Sequence, residues 1–194
     1  MKTKPFFCLA ILATLFWLSN CQQQPSEKPT TVEANVSKDA QVKRGEYLVS
    51  FAGCDNCHTP KMMTPNGPAL DMSLRFSGHQ AGEPFTAGNK KELIKKEFVA
   101  VFSPGTTAAA GPWGVSFASN LTPDDTGIGA WTEAQFMKAI REGKSKGLDG
   151  TRPLLPPMPW KAIGKMSDED LKAVFAYLKT VKPVKNVVPG PKPL

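Results

Sequence analysis

The chain has 194 residues and a formal net charge of +7, from 24 lysines and arginines against 17 acidic residues. No motif in it interleaves basic with aromatic side chains, so the positive charge does not indicate a nucleic-acid-binding protein. Its four cysteines and two histidines do not supply four ligands at the spacing of a structural zinc site. Beyond an N-terminal segment, the length is suited to one folded domain.

Residues 1–20 predict a signal peptide. A positively charged start is followed by an apolar run over residues 6–18 that is too short to span a bilayer comfortably. The next residues, Leu-Ser-Asn-Cys, resemble the lipobox of bacterial lipoproteins, which implies cleavage before Cys21 and lipidation of that residue. Asn20 fits the lipobox poorly, so an uncleaved anchor or an ordinary secretory signal stays open. Each of these readings exports the chain.

Residues 21–38 are predicted to form a flexible linker because they are polar, contain two prolines and lack bulky apolar side chains. A lipid on Cys21 would tether the rest of the chain to the membrane through this linker. The folded domain is predicted over residues 39–185, and a proline-rich C-terminal tail over residues 186–194.

The stretch Cys54-Asp55-Asn56-Cys57-His58 is the attachment sequence of a c-type haem. Two thiols add to the porphyrin's vinyl groups, and the following histidine becomes the proximal iron ligand. A thioredoxin-like redox pair would need a strand–helix–strand pattern that is not visible, and a disulfide here would close too small a loop to stabilise much. We therefore predict one haem held covalently by Cys54 and Cys57, with His58 on the iron.

Three helices are predicted. The first covers residues 39–51, and Gly45 within it predicts a close crossing by another helix. The second covers residues 132–142 and begins with a capping box. The third begins at Ser167, carries three acidic residues in its first turn and ends at Pro183. Between the haem motif and residue 120 the pattern is irregular, with a possible small hairpin formed by residues 98–102 and 115–117.

One axial position of the iron remains to be assigned. Met158 lies in the sequence Leu-Leu-Pro-Pro-Met-Pro-Trp, where the prolines exclude a helix and present the thioether from a stiff loop. Such a loop suits electron transfer, although a methionine can also simply pack. His79 is the bis-histidine alternative, or else a loop histidine near the haem rim.

The chain resembles the single-haem class I cytochromes c, and more closely the cytochrome domains of membrane-bound bacterial alcohol and sugar dehydrogenases. The resemblance covers most of residues 43–188. It is carried by the segments 44–49 (RGEYLV), 54–60 (CDNCHTP), 67–68 (GP), 119–124 (SNLTPD), 126–129 (TGIG), 131–132 (WT), 155–160 (LPPMPW) and 166–171 (MSDEDL).

The resemblance implies an all-α class I cytochrome c fold, with three or more helices around one covalently bound haem. This chain departs from the family in a long irregular insertion between the haem motif and residue 120, which is longer than in minimal class I domains. The resemblance implies that the first and last helices cross near Gly45 and Tyr177. It also implies that the carbonyl of Pro68 accepts a hydrogen bond from His58, that Met158 is the distal ligand, and that haem contacts come from Asn120 and Trp160.

An iron ligated by histidine and methionine has no open position, so it stores and passes single electrons. We therefore expect an exported, membrane-anchored electron carrier on the periplasmic side, or a soluble periplasmic one. Its expected partners are a dehydrogenase or quinol-oxidising complex and a terminal oxidase or reductase. The alternative is a haem enzyme or a gas or redox sensor with an open distal site. Lysines in residues 138–146 and 161–185 predict either a basic rim that steers acidic partners or an ordinary solvated face.

Overall fold

The computed structural model describes residues 37–194 of the chain. The predicted signal peptide, most of the predicted linker and Cys21 lie outside these residues. The described part contains six α-helices and five β-strands: α1 Lys38–Phe51, α2 Cys54–His58, β1 Lys61–Thr64, β2 Gly67–Leu70, α3 Lys91–Glu97, β3 Val101–Phe102, β4 Ala108–Gly111, β5 Gly114–Phe117, α4 Glu133–Glu142, α5 Trp160–Ile163 and α6 Asp168–Leu178.

Helices α1 and α6 cross at Gly45, as predicted. A Cβ atom built on Gly45 would lie 2.7 Å from the Cβ of Tyr177 and would also collide with the carbonyl of Ala173. Only glycine therefore permits this approach, which is why a residue that weakens an isolated helix stands in the middle of α1. Around the crossing lies the main core, to which α1, α4 and α6 contribute Leu48, Val49, Phe136, Ile140, Leu171, Val174, Phe175 and Leu178.

The caps of α4 and α6 match the sequence. Thr132 and Gln135 form the predicted capping box, and the Ser167 hydroxyl accepts the backbone N–H of Asp170 at 3.1 Å. The end of α6 differs from the prediction, because the helix stops at Leu178. Just beyond it, the hydroxyl of Thr180 donates to the carbonyl of Tyr177 at 2.7 Å, replacing a bond that a longer helix would make.

The predicted all-α fold is wrong, because the segment after the haem motif contains two antiparallel sheets. Strands β1 and β2 form a hairpin, and β3, β4 and β5 form a three-stranded sheet in that order. The two stretches that were expected to pair with each other lie in β3 and β5. Each of them pairs with β4, which lies between them. Together with α3, the three-stranded sheet encloses a second core of Ala87, Ile94, Ala110 and Val115, so this segment of the described chain has its own packed interior.

Residues 186–194 are part of this folded unit. Val115 and Lys192 exchange two backbone hydrogen bonds of 2.8 and 3.0 Å, and Leu194 packs against the second core. The buried side chain of Asn186 donates to the carbonyls of Ser77 and His79 at 2.8 and 2.9 Å. The segment named as a tail from its prolines thus joins the sheet region to the main core. In residues 37–194 we find no helix with the length and apolar character needed to cross a membrane.

Candidate functional site

Helix α2 consists of the Cys-x-x-Cys-His motif itself. Gly53 precedes it with a φ of 67°, a left-handed conformation that turns the chain sharply out of α1. Cys54 and Cys57 lie three residues apart on this helix, are half-buried, and form no disulfide. Burial raises the pKa of the Cys54 thiol to about 11.

His58 is buried at the end of α2, with 8% of its surface exposed. Its Nδ1 lies 2.8 Å from the carbonyl oxygen of Ser119. A carbonyl only accepts, so Nδ1 carries the proton and the lone pair is on Nε2. Within residues 37–194 no protein group hydrogen-bonds to Nε2. Burial lowers the pKa of His58 below its usual value, which favours the neutral imidazole that iron requires.

The acceptor for His58 corrects one prediction. Pro68 was expected to supply the carbonyl, but it lies exposed in β2 opposite Met63. The carbonyl that accepts from the His58 ring comes instead from Ser119, two residues after the end of β5. Ser119 therefore orients the ring, the role expected of a group behind a metal-binding histidine.

A hydrogen-bond network around Asp55 in α2 was not predicted from the sequence. Arg75 holds Asp55 through both carboxylate oxygens, at 2.9 and 2.8 Å, and also donates to the hydroxyl of Tyr177 at 2.8 Å. Thr59 donates to Asp55 at 2.8 Å. Burial alone would raise the pKa of Asp55, but the bonds from Arg75 and Thr59 outweigh it and lower that pKa. The network ties the haem-motif helix to α6, although its partners lie far apart in sequence.

Met158 is half-buried and packs against the main core, as Cys54 does. Its loop is held from the sheet side, because the hydroxyl of Ser116 donates to the carbonyl of Pro156 at 2.6 Å and the indole N–H of Trp113 donates to Ser116 at 3.1 Å. The loop is thus fixed by the β4–β5 hairpin as well as stiffened by proline. Binding of iron by Met158 remains a prediction.

The structure shows the surroundings of two further residues that were predicted to contact the haem, Trp160 and Asn120. Trp160 begins α5 and lies against Gly143, where an added Cβ would be 2.5 Å from the indole ring. Asn120 is buried and bonded within the protein: its amide donates to the carbonyl of Val184 at 2.8 Å, and its oxygen accepts the backbone N–H of Thr122 at 2.9 Å. The structure therefore gives Asn120 a scaffold role, and its contact with the haem remains a prediction.

His79 is fully buried, with its ring centroid 4.8 Å from that of Phe117. One ring nitrogen lies 2.9 Å from the hydroxyl of Thr107 and the other 2.9 Å from the carbonyl of Glu83. Both nitrogens are therefore used by the protein, and the bis-histidine alternative does not fit.

The predicted basic rim is largely neutralised in its first part. Lys138 and Lys144 both pair with Asp149, at 2.6 and 2.8 Å. Arg141 pairs with Asp168 at 2.5 Å. These exposed pairs contribute little stability, but they reduce the net positive field that would attract an acidic partner.

The site fits a c-type haem on its own geometry. It offers two thiols on one short helix and a buried histidine. Because Nδ1 of His58 donates to Ser119, Nε2 is the nitrogen that can bind iron. Cys54 and Cys57 would hold the porphyrin and His58 the iron; the bound haem supplies an iron that gains and loses one electron.

Comparison with known proteins supports the same conclusion. The family model for cytochrome c matches residues 42–182. The chain is 34% identical over 176 residues to the fructose dehydrogenase cytochrome subunit of Gluconobacter japonicus, covering 90% of this chain and 27% of that one. It is 33% identical over 142 residues to the gluconate 2-dehydrogenase cytochrome c subunit of Pantoea cypripedii, covering 73% and 23%.

A third relative is the cytochrome c subunit of the quinone-dependent alcohol dehydrogenase of Gluconobacter oxydans (strain 621H), 31% identical over 153 residues, covering 78% of this chain and 24% of that one. The chain thus spans about a quarter of the length of these curated relatives. The family match covers most of the described residues and includes α2. The chain therefore belongs to the cytochrome c family, and its cofactor is a covalently bound c-type haem.

Proposed function

We propose that this protein is a monohaem electron carrier that takes electrons from a membrane-bound dehydrogenase and passes them to a terminal oxidase or reductase. We further propose that the mature protein is held at the periplasmic side of the membrane by a lipid on Cys21. The sequence contains a single Cys-x-x-Cys-His motif, so the chain relays one electron at a time and not through several haems of its own.

This proposal rests on how the structure holds the two segments that carry His58 and Met158. His58 is aimed by the backbone of Ser119, and the Met158 loop is fastened to the β4–β5 hairpin through Ser116. Ligands held by fixed backbone need little rearrangement when the iron changes oxidation state, which favours electron transfer over substrate binding. The named relatives are cytochrome subunits of dehydrogenases, which supports a dehydrogenase as the electron donor.

The optical spectrum of the purified ferric protein tests the assignment. We expect a weak band at the red end of the visible range, which is lost in Met158→Ala. Met166→Ala is the matched control, because Met166 is also half-buried and packs against the same core; it should keep the band. A high-spin spectrum in the wild-type protein would favour an enzyme or a sensor.

Two separate experiments test the partner and the anchor. A dehydrogenase recovered from crosslinked membranes should reduce the protein in a stopped-flow assay, and failure of every recovered dehydrogenase to do so would remove the proposed donor. Mass spectrometry of the mature protein should show diacylglycerol on its first residue, and Cys21→Ser should release the protein from the membrane fraction. An unmodified N-terminus would overturn the anchor alone.

A further inference from the structure

A lysine that the sequence analysis did not single out lies at the carboxyl end of the haem-motif helix. Lys61 is half-buried at the start of β1, and its ammonium donates to the backbone carbonyls of Asn56 and Thr59, the latter at 3.1 Å. Those two carbonyls bracket Cys57 and His58. A cation at a helix carboxyl end is favourable, because unpaired carbonyls there carry partial negative charge.

The insertion holds this lysine from the other side. The turn between β3 and β4 brings the hydroxyl of Thr106 to 2.9 Å from the Lys61 ammonium, and the same hydroxyl also contacts the carbonyl of Asn56. Thr106 has a φ of 57°, a left-handed conformation that is rare and costly for a β-branched residue. The turn itself is closed by backbone bonds of Ser103 to Thr106 and to Ala108, at 2.8 and 2.9 Å.

The Asp55 carboxylate acts electrostatically on Lys61, but both of its oxygens are bound by Arg75, and it forms no ion pair with the lysine within the described residues. The three hydrogen-bond partners of Lys61 are two carbonyls and a hydroxyl, and none of the ion pairs formed within residues 37–194 includes it. Burial lowers the pKa of Lys61, against smaller opposing effects of Cys57 and Asp55. The positive charge therefore lies at the two carbonyls that bracket Cys57 and His58, in surroundings partly withdrawn from water, where charge acts more strongly.

We propose that Lys61, clamped by the Thr106 turn against the end of α2, is a positioning and tuning residue that raises the reduction potential of the haem. A nearby positive charge disfavours the oxidised iron, which carries one more positive charge than the reduced iron. The insertion thereby acquires a role in electron transfer, since it supplies the hydroxyl that keeps the ammonium in place.

Potentiometric titration of the full-length holoprotein tests the proposal. Lys61→Met removes the charge and keeps the apolar stem, and it should lower the midpoint potential. Lys61→Arg keeps the charge and should stay near the wild-type value. Lys91→Met makes the same charge change on the exposed surface of α3, where Lys91 has no ion pair within the described chain, and it should leave the potential almost unchanged.

Equal midpoint potentials for Lys61→Met and Lys91→Met would overturn the proposal. Lys61→Gln provides a second neutral variant that can still donate to the carbonyls, so a potential lowered in it as well would assign the effect to charge. If both neutral variants fail to mature into haem protein while Lys61→Arg matures normally, the tuning role is refuted and Lys61 acts in folding alone.

Discussion

Arg75 and Asp55 form a two-pronged ion pair, with Nε–Oδ1 and Nη2–Oδ2 distances of 2.9 and 2.8 Å. Asp55 is the first variable residue of the haem-binding motif, and Arg75 lies five residues after the end of β2. The side chains are only 24% and 14% exposed, so this pair is shielded from water far more than the other arginine–aspartate pairs of the described chain. The pair fixes the side of α2 that carries Asp55.

Replacing Arg75 with glutamine should lower the free energy of unfolding by about 1–3 kcal/mol, because the shielded Asp55 carboxylate and the Tyr177 hydroxyl both lose their partner. Arg44→Gln is the control, since Arg44 is 51% exposed in its pair with Asp170 and should change stability by about 0.2–1 kcal/mol. Guanidinium chloride unfolding followed by haem absorbance measures both. Equal decreases in the free energy of unfolding of the two variants would mean that the Arg75 network stabilises the protein no more than an exposed ion pair does.

The pH dependence of stability should contain a contribution from Asp55. Its pKa is lowered in the folded protein, below the ordinary value of about 3.9 for an unfolded aspartate. The unfolded state therefore binds the proton more readily, so this contribution is complete above about pH 5 and is lost as the pH falls through the folded pKa. Asp55→Asn should start less stable at pH 7 and lose less stability between pH 5 and 3. If the free energy of unfolding falls by the same amount between pH 5 and 3 in the wild-type protein and in Asp55→Asn, the contribution does not come from Asp55.

Gly45→Ala should destabilise the protein by about 1–3 kcal/mol, since the new methyl group must push α1 away from α6. The control is Gly82→Ala, because a Cβ atom at Gly82 would have no neighbour within 4 Å. Thermal unfolding of both holoproteins gives the comparison. A Gly45→Ala protein as stable as Gly82→Ala would show that the two helices can separate without cost.

Asn186→Ala should loosen the junction between the insertion and the main core. The variant leaves the buried carbonyls of Ser77 and His79 without their donor, and the Ala81 amide without the acceptor it reaches at 3.1 Å, a loss of about 1–3 kcal/mol or more. Hydrogen exchange should accelerate at Ala81. Asn66→Ala, at the exposed tip of the β1–β2 hairpin, should not change that rate, and an unchanged rate in both would refute the role of Asn186.

The parts of the fold that were predicted correctly depend on local signals. The caps at Thr132 and Ser167 act within a few residues of where they stand. A glycine in the middle of a helix is also a local signal, although the partners of Gly45, Ala173 and Tyr177, lie far along the chain. Strand β4 was missed because its three alanines, Ala108–Ala110, carry no strand preference of their own. They form a strand only because β3 and β5 pair on either side and α3 covers them.

The candidate site likewise combines residues that local signals reveal with residues that only tertiary contacts bring together. The haem-binding motif is local, so Cys54, Cys57 and His58 could be recognised from the sequence alone. The partners of that motif could not be, because Arg75, Thr106 and Ser119 reach α2 only through the path of the insertion, 20 to 61 residues further along the chain. His79 was ambiguous for the same reason, since its two hydrogen bonds depend on tertiary contacts.

The group that aims the proximal histidine belongs to the main chain. Whatever side chain stands at Ser119, the carbonyl opposite Nδ1 remains, so a mutational scan would score this position as tolerant although it governs the iron ligand. Only a change in the backbone route, such as a deletion between β5 and residue 120, would move the oxygen. Proteins engineered on this scaffold can therefore vary position 119 freely, provided that the number of residues leading to it is kept.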